Sequence, residues 1–113
     1  SFPPEPYLMK QEAARQQLVI SALGSDRPGI VNLFSRPLSE LGCNIVDTRM
    51  TVLGAQFAML MMVEGNWSNI AKAELALPNL GKKLGLTIHS QRTLESLPIS
   101  PVSSRIERSI FGN

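Results

Sequence analysis

Apolar and polar positions along the chain sort into four short strand-like runs and two helical stripes. From Gln17 to Leu23, QLVISAL alternates loosely and is rich in Leu, Val and Ile, which predicts a strand. The following DRPGIVNLFSRPLSELG sets Ile30, Val31, Leu33, Phe34, Leu38 and Leu41 at helical spacing. Pro28 suits the first turn of that helix, Asp26 is its natural capping side chain, and Gly42 is placed to end it. Pro37 predicts a kink inside it. Strands are expected from Asn44 to Val52 and from Gln56 to Val63, joined by a tight turn at Leu53-Gly54-Ala55. In WSNIAKAELALPNLGKKLGL, Trp67, Ile70, Ala73, Leu77, Leu80 and Leu84 share one face. Pro78 is expected to break or bend this second helix near its last third. A fourth strand follows from Gly85 to Arg92.

The order β-α-β-β-α-β predicts an α+β, ferredoxin-like sandwich: an antiparallel sheet of order 4-1-3-2 with both helices on one face. The polarity of the strands agrees with that order. The first and third are apolar on both sides and read as central. The second carries Asp47, Thr48, Arg49 and Thr51, and the fourth carries Thr87, His89, Ser90 and Gln91, so these read as edges. Because alternate residues of a strand point to opposite faces, Phe57, Met59, Met61 and Val63 form one row and Ala58, Leu60 and Met62 the other. Two helices cover only one of them. The uncovered row predicts association through the sheet or along its edges, with cover by the two tails as the alternative.

Residues 1–16 hold three prolines and read as an extended N-terminal arm; residues 94–113 hold two prolines and five serines and read as a linker or tail. Residues 17–93 between them form the compact unit. A chain of 113 residues buries roughly 65% of its unfolded surface, enough for one modest core. The net charge is +2 and the only adjacent basic pair is Lys82-Lys83. That scatter is a poor footprint for direct nucleic-acid binding. No apolar run approaches a membrane span, and the N-terminus lacks the basic start and apolar run of a secretory signal. One cysteine, Cys43, forms no disulfide within the chain and fits a reducing cytoplasm.

The residue types exclude most chemistry. One His and one Cys without an acidic cluster make no metal ligand set. His89 and Cys43 belong to opposite edges of the expected sheet, too far apart for a nucleophile–base pair. No phosphate-loop motif is present, and GAQFAMLMMV lacks the aromatic and basic residues by which sheets of this type stack RNA. No catalytic residue and no cofactor are therefore expected. What remains is the stretch LGSDRPGIV. Free amides at Gly29 and Ile30 would favour a carboxylate, Asp26 would hold an ammonium group, and Asn44 would sit beside the loop with a donor and an acceptor. Together these suit a free amino acid. The plainer alternative is that Asp26 only caps the helix and Asn44 satisfies local backbone.

The order of elements with DRPGIV at the first strand–helix junction resembles an ACT domain, the small module that senses amino acids. LVISALGSDRPGIVN, GCNIVDTRM, LGAQFAMLMMVEGNW and ELALPNLGKKLGL followed by QRT are similar to the N-terminal ACT domain of the glycine cleavage system transcriptional repressor family, over Leu18 to Thr93. The resemblance implies a regulator and not an enzyme. It implies two ACT domains in tandem, restraining a partner transcriptional activator of glycine cleavage genes through protein contact. It also implies an amino-acid ligand, glycine preferred, at an interface between two domains. That ligand would touch Asp26, Arg27, Pro28, Gly29 and Ile30 on the loop and Asn44 and Ile45 on the second strand, with Asp47 a weaker candidate. The sequence ends at Asn113, where the second domain would begin. A fragment or a one-domain variant is expected, with a homodimer replacing the missing surface. The competing functional reading is a ligand-free protein-interaction or dimerisation module.

Overall fold

The computed structural model describes residues 15–93; the expected arm and tail fall almost wholly outside them. The elements are β1 (Gln16–Ser25), α1 (Ile30–Glu40), β2 (Asn44–Leu53), β3 (Gln56–Gly65), α2 (Trp67–Leu84) and β4 (Leu86–Thr93). The sheet is antiparallel between all neighbours, in the order β2-β3-β1-β4. This is the expected 4-1-3-2 arrangement read from the other edge, and the fold class is the expected βαββαβ sandwich.

The core lies between the sheet and the helices. Leu18, Ile20 and Ala22 from β1 and Phe57, Met59, Met61 and Val63 from β3 form the buried sheet rows. Ile30, Phe34 and Leu38 from α1 and Ile70, Ala73, Leu77 and Leu80 from α2 close over them. Burying each large side chain of this set stabilises the fold by about 1.5–3 kcal/mol relative to exposure. Among the described residues no polar or charged side chain is buried. Nothing polar in this core demands a partner, so apolar burial and shape hold it together.

Leu53 pairs with Gln56, leaving Gly54-Ala55 as a two-residue hairpin loop with Gly54 at φ 60. Positive φ at the first loop position and not at the second is the type II′ pattern, whose twist matches the strands. Asn66 caps α2 by accepting from the Asn69 amide at 2.8 Å, and Lys82 and Lys83 in the last turn face the negative end of the helix dipole.

Several local expectations are corrected. α1 begins at Ile30, not at Pro28: Gly29 is the N-cap residue, at φ 73, and no side chain caps the helix. A left-handed turn at Gly29 swings the chain into the helix axis later than a right-handed Pro28-Gly29 start would. α2 is not broken at Pro78 and continues to Leu84. Pro78 is exposed, and a proline there only deprives the carbonyl four residues back of its helical donor. Trp67 lies outside the core, 49% exposed, as does Leu33 at 44%.

Candidate functional site

The chain leaves β1 at Ser25 and crosses to α1 through Asp26, Arg27, Pro28 and Gly29. Three backbone bonds shape this loop and the helix start. The Asp26 amide donates to the Ala55 carbonyl at 2.9 Å, tying the loop to the β2–β3 hairpin. The Ile30 amide donates to the Arg27 carbonyl at 3.2 Å, and the Leu33 amide to Gly29 at 2.9 Å. Of the first-turn amides, those of Val31 and Asn32 find no backbone acceptor among the described residues. Of Gly29 and Ile30, the pair expected from the sequence, the Ile30 amide is taken by the Arg27 carbonyl, so the helix's own free donors begin at Val31. Unpaired first-turn amides, reinforced by the helix dipole, favour a negative group.

A cleft of about 370 Å³ lies against this turn, lined by residues 26–31 together with Met50 and Val52. Small-molecule sites start at about this size. Its polar rim is Asp26 and Arg27, adjacent and of opposite charge. Its wall is Pro28, Val31, Met50 and Val52. The five loop residues expected from the sequence therefore stand together. Met50 and Val52, which complete the cleft, were not foreseen. Their signal was available: at the hairpin end of a strand that neighbours β3, alternate residues return to the helix side.

Asn44 and Ile45 are not beside the loop. β1 and β2 both run antiparallel to β3 and so run parallel to each other. Asn44 pairs with Glu64, which pairs with Gln17 at the start of β1; Leu53 pairs with Gln56, which pairs with Ser25 at its end. The start of β2 is consequently a full strand length from the loop. Asp47, on the open side of β2, is engaged with Arg49 at 3.3 Å and accepts from the Thr48 amide at 2.8 Å. A β-bulge separates Ile45 from Asp47.

The other reactive residues are far away. Cys43, just before β2, is 5% exposed, and its Sγ lies 3.6 Å from the Asn69 carbonyl. Burial pushes its thiol pKa up, the reverse of an activated nucleophile. His89 is exposed on β4, at the opposite sheet edge. No group of three or more potential metal ligands occurs among the described residues. No described helix is long and apolar enough to cross a membrane.

The helix-free face of the sheet carries the second row of β3. Leu60 is 54% exposed there and Leu23 of β1 is 52% exposed. A shallow trough of about 490 Å³ runs between them, bordered by Ser21, Arg49, Thr51 and Ala58.

The chain is thus a βαββαβ layer with a cleft at its first strand–helix turn and one sheet face that the helices leave bare. The ACT domain model matches residues 16–91, and the chain belongs to the ACT domain family. Within it, residues of this chain are 46% identical over 81 positions to the glycine cleavage system transcriptional repressor of Escherichia coli, covering 72% of this chain and 43% of that protein. The chain thus spans less than half the length of that relative. A UPF0237 protein of Methanococcus maripaludis is 35% identical over 78 residues, covering 67% of this chain and 87% of that one. A crystal structure provisionally named as a glycine cleavage system transcriptional repressor superposes with a TM-score of 0.72 at 30% identity, covering 88% of this chain and 67% of that one. The chain is therefore an ACT regulatory module related to the glycine cleavage repressors.

Proposed function

We propose that this ACT domain senses a small amino acid, glycine preferred, and acts in the cytoplasm on transcription of glycine cleavage genes through a partner activator protein. It does no catalysis and binds no nucleic acid directly. The observation that carries the reading is the cleft at the start of α1. There the Val31 amide, without a backbone acceptor, stands beside Asp26 and Arg27, two opposite charges suited to a zwitterion. The ligand carboxylate accepts from that amide and from Arg27, and its ammonium group donates to Asp26. Gly29 and Pro28 let the ligand approach the backbone, and Ile30 anchors the turn to the core. Asn44 and Ile45 join this site only from a second domain or a second copy, since their own strand carries them away from it. The module accordingly works as a homo-oligomer or beside a second ACT domain.

Calorimetry with glycine, serine and alanine tests the reading. Saturable binding of glycine is expected. Gly29→Val should abolish it with the circular dichroism spectrum retained, and Asn44→Ala should weaken it more than Ser25→Ala. Equal, small effects of all three remove the site. Absence of heat with every amino acid supports the second reading, a ligand-free interaction or dimerisation module, which the exposed Leu23 and Leu60 of the open face favour.

A further inference from the structure

α2 carries a second apolar stripe besides the buried one. At ~100° per residue around a helix, Trp67, Ala71, Leu75 and Pro78 fall in one line, turned away from the buried Ile70, Ala73, Leu77 and Leu80, and Lys82 extends it. Leu75 is 82% exposed and Trp67 49%. A helix resting on a sheet needs one apolar face, so the fold itself does not call for this second stripe. One flank of the stripe is basic, with Lys72 and Lys83 both exposed. On the other flank Glu74, the only acidic residue of α2, is paired with Arg92. α2 therefore presents three exposed lysines against one carboxylate that already has its counterion. The Arg92 guanidinium also lies over the Trp67 ring, which holds the aromatic at the head of the stripe.

We propose that this outer face of α2 docks an acidic amphipathic helix of another protein, with the apolar side of that helix on Trp67, Leu75 and Pro78 and its carboxylates over Lys72, Lys82 and Lys83. The inference goes beyond amino-acid sensing and does not depend on it. Charge selects the occupant. A second copy laid on the stripe brings the same three lysines, so like charges would face each other. Residues 94–113 of this chain hold Glu95 and Glu107 but also Arg105 and Arg108, and offer the lysines no net negative charge. An acidic helix answers both the apolar line and the basic flank. From Trp67 to Lys82 the stripe is roughly 22 Å long at ~1.5 Å per residue, about four turns, enough for an i, i+3, i+4, i+7 set of anchors. A tryptophan already held in place loses little freedom on binding, which favours it as an anchor.

The probe is a synthetic helical peptide with leucines at i, i+3, i+4 and i+7 and glutamates between them, titrated into the full chain. Trp67, the sole tryptophan, reports its arrival by a change of emission, and labelled-peptide anisotropy gives the affinity. Saturable binding that weakens as salt is raised is expected. Leu75→Asp should weaken it about tenfold or more, as loss of a central anchor does, with the circular dichroism spectrum retained because the side chain is exposed. Lys72→Glu combined with Lys83→Glu should weaken it as well. Equal binding of a scrambled peptide, tighter binding of a peptide with lysine in place of glutamate, or unchanged affinity in Leu75→Asp each overturns the docking face. A change of oligomeric state in Leu75→Asp would seat a second copy on the stripe, and a change of Trp67 emission in Phe111→Ala without peptide would seat the chain's own end there; either overturns it too. Glycine calorimetry on the same samples keeps the outcomes separate: a chain that binds glycine but not the acidic peptide refutes the docking face and leaves amino-acid sensing standing.

Discussion

Arg92 grips Glu74 with two parallel hydrogen bonds: Nη2 donates to Oε1 at 2.8 Å and Nε to Oε2 at 2.9 Å. The same guanidinium lies over Trp67, 5.6 Å from the ring centroid. One side chain near the end of β4 thus ties down both the first turn and the middle of α2. The hydrogen bonds from Arg92, with its charge, hold the Glu74 carboxyl below its ordinary value. A depressed folded-state value means the contribution is complete above the unfolded value and is lost as pH falls through the folded one. Glu74→Gln should cost about 0.5–1 kcal/mol at neutral pH, the range for a pair this open to solvent. It should also flatten the fall in melting temperature below about pH 4.3, the unperturbed glutamate value. Trp67, the sole tryptophan, reports the same event: Arg92→Ala should shift its emission.

Gly24 faces the β4 backbone with no room to spare. A Cβ there would lie 2.6 Å from the Gly85 carbonyl oxygen and 2.8 Å from Leu86 Cδ2. Gly24→Ala must push β4 away from β1, and a loss of about 1–3 kcal/mol is expected from such overpacking. The urea midpoint measures it.

Gly29 offers the opposite case. Nothing lies within 4 Å of a Cβ placed on it, yet its φ is 73. Gly29→Ala should therefore cost only the left-handed backbone penalty, about 1–2 kcal/mol. Gly29→Asn should cost less, because asparagine tolerates that region. Equal midpoints for Ala and Asn would show that crowding, not conformation, governs the position.

Cys43 is shielded and its thiol is pushed up by burial. Labelling by a disulfide reagent at pH 8 should be slow in the native protein and rapid in denaturing urea. A rate insensitive to urea would contradict the packing described at the start of β2.

Much of this architecture was legible because period-two and period-three-to-four patterns are strong here. The alternation in FAMLMMV assigned Phe57, Met59, Met61 and Val63 to one row, and that row is the buried one. The polar character of β2 and β4 placed them at the edges. Local dihedral choices were harder to read. Pro28 is compatible with a first turn, but the left-handed Gly29 delays the helix to Ile30, and with it the helix's own free amides begin at Val31. Trp67 falls on the same helical stripe as Ile70, yet the first turn of α2 overhangs the core, so the ring is left to Arg92. The separation of Asn44 from the loop follows from connectivity alone. A strand–helix–strand crossover makes β1 and β2 parallel, so the beginning of one lies with the beginning of the other. Met50 and Val52 in the cleft belong to the same logic.

β1, the first strand of this sheet along the chain, has β3 on one side and β4 on the other, and Gln17 finds its neighbour in Thr93. Among the described residues the only local hairpin, β2 with β3, leaves that middle position empty. Distant pairings of this kind close slowly. During translation the nascent module must wait for its final strand to clear the ribosome before its sheet is whole. Until then the flank of β1 that β4 will cover stays without its pairing partner.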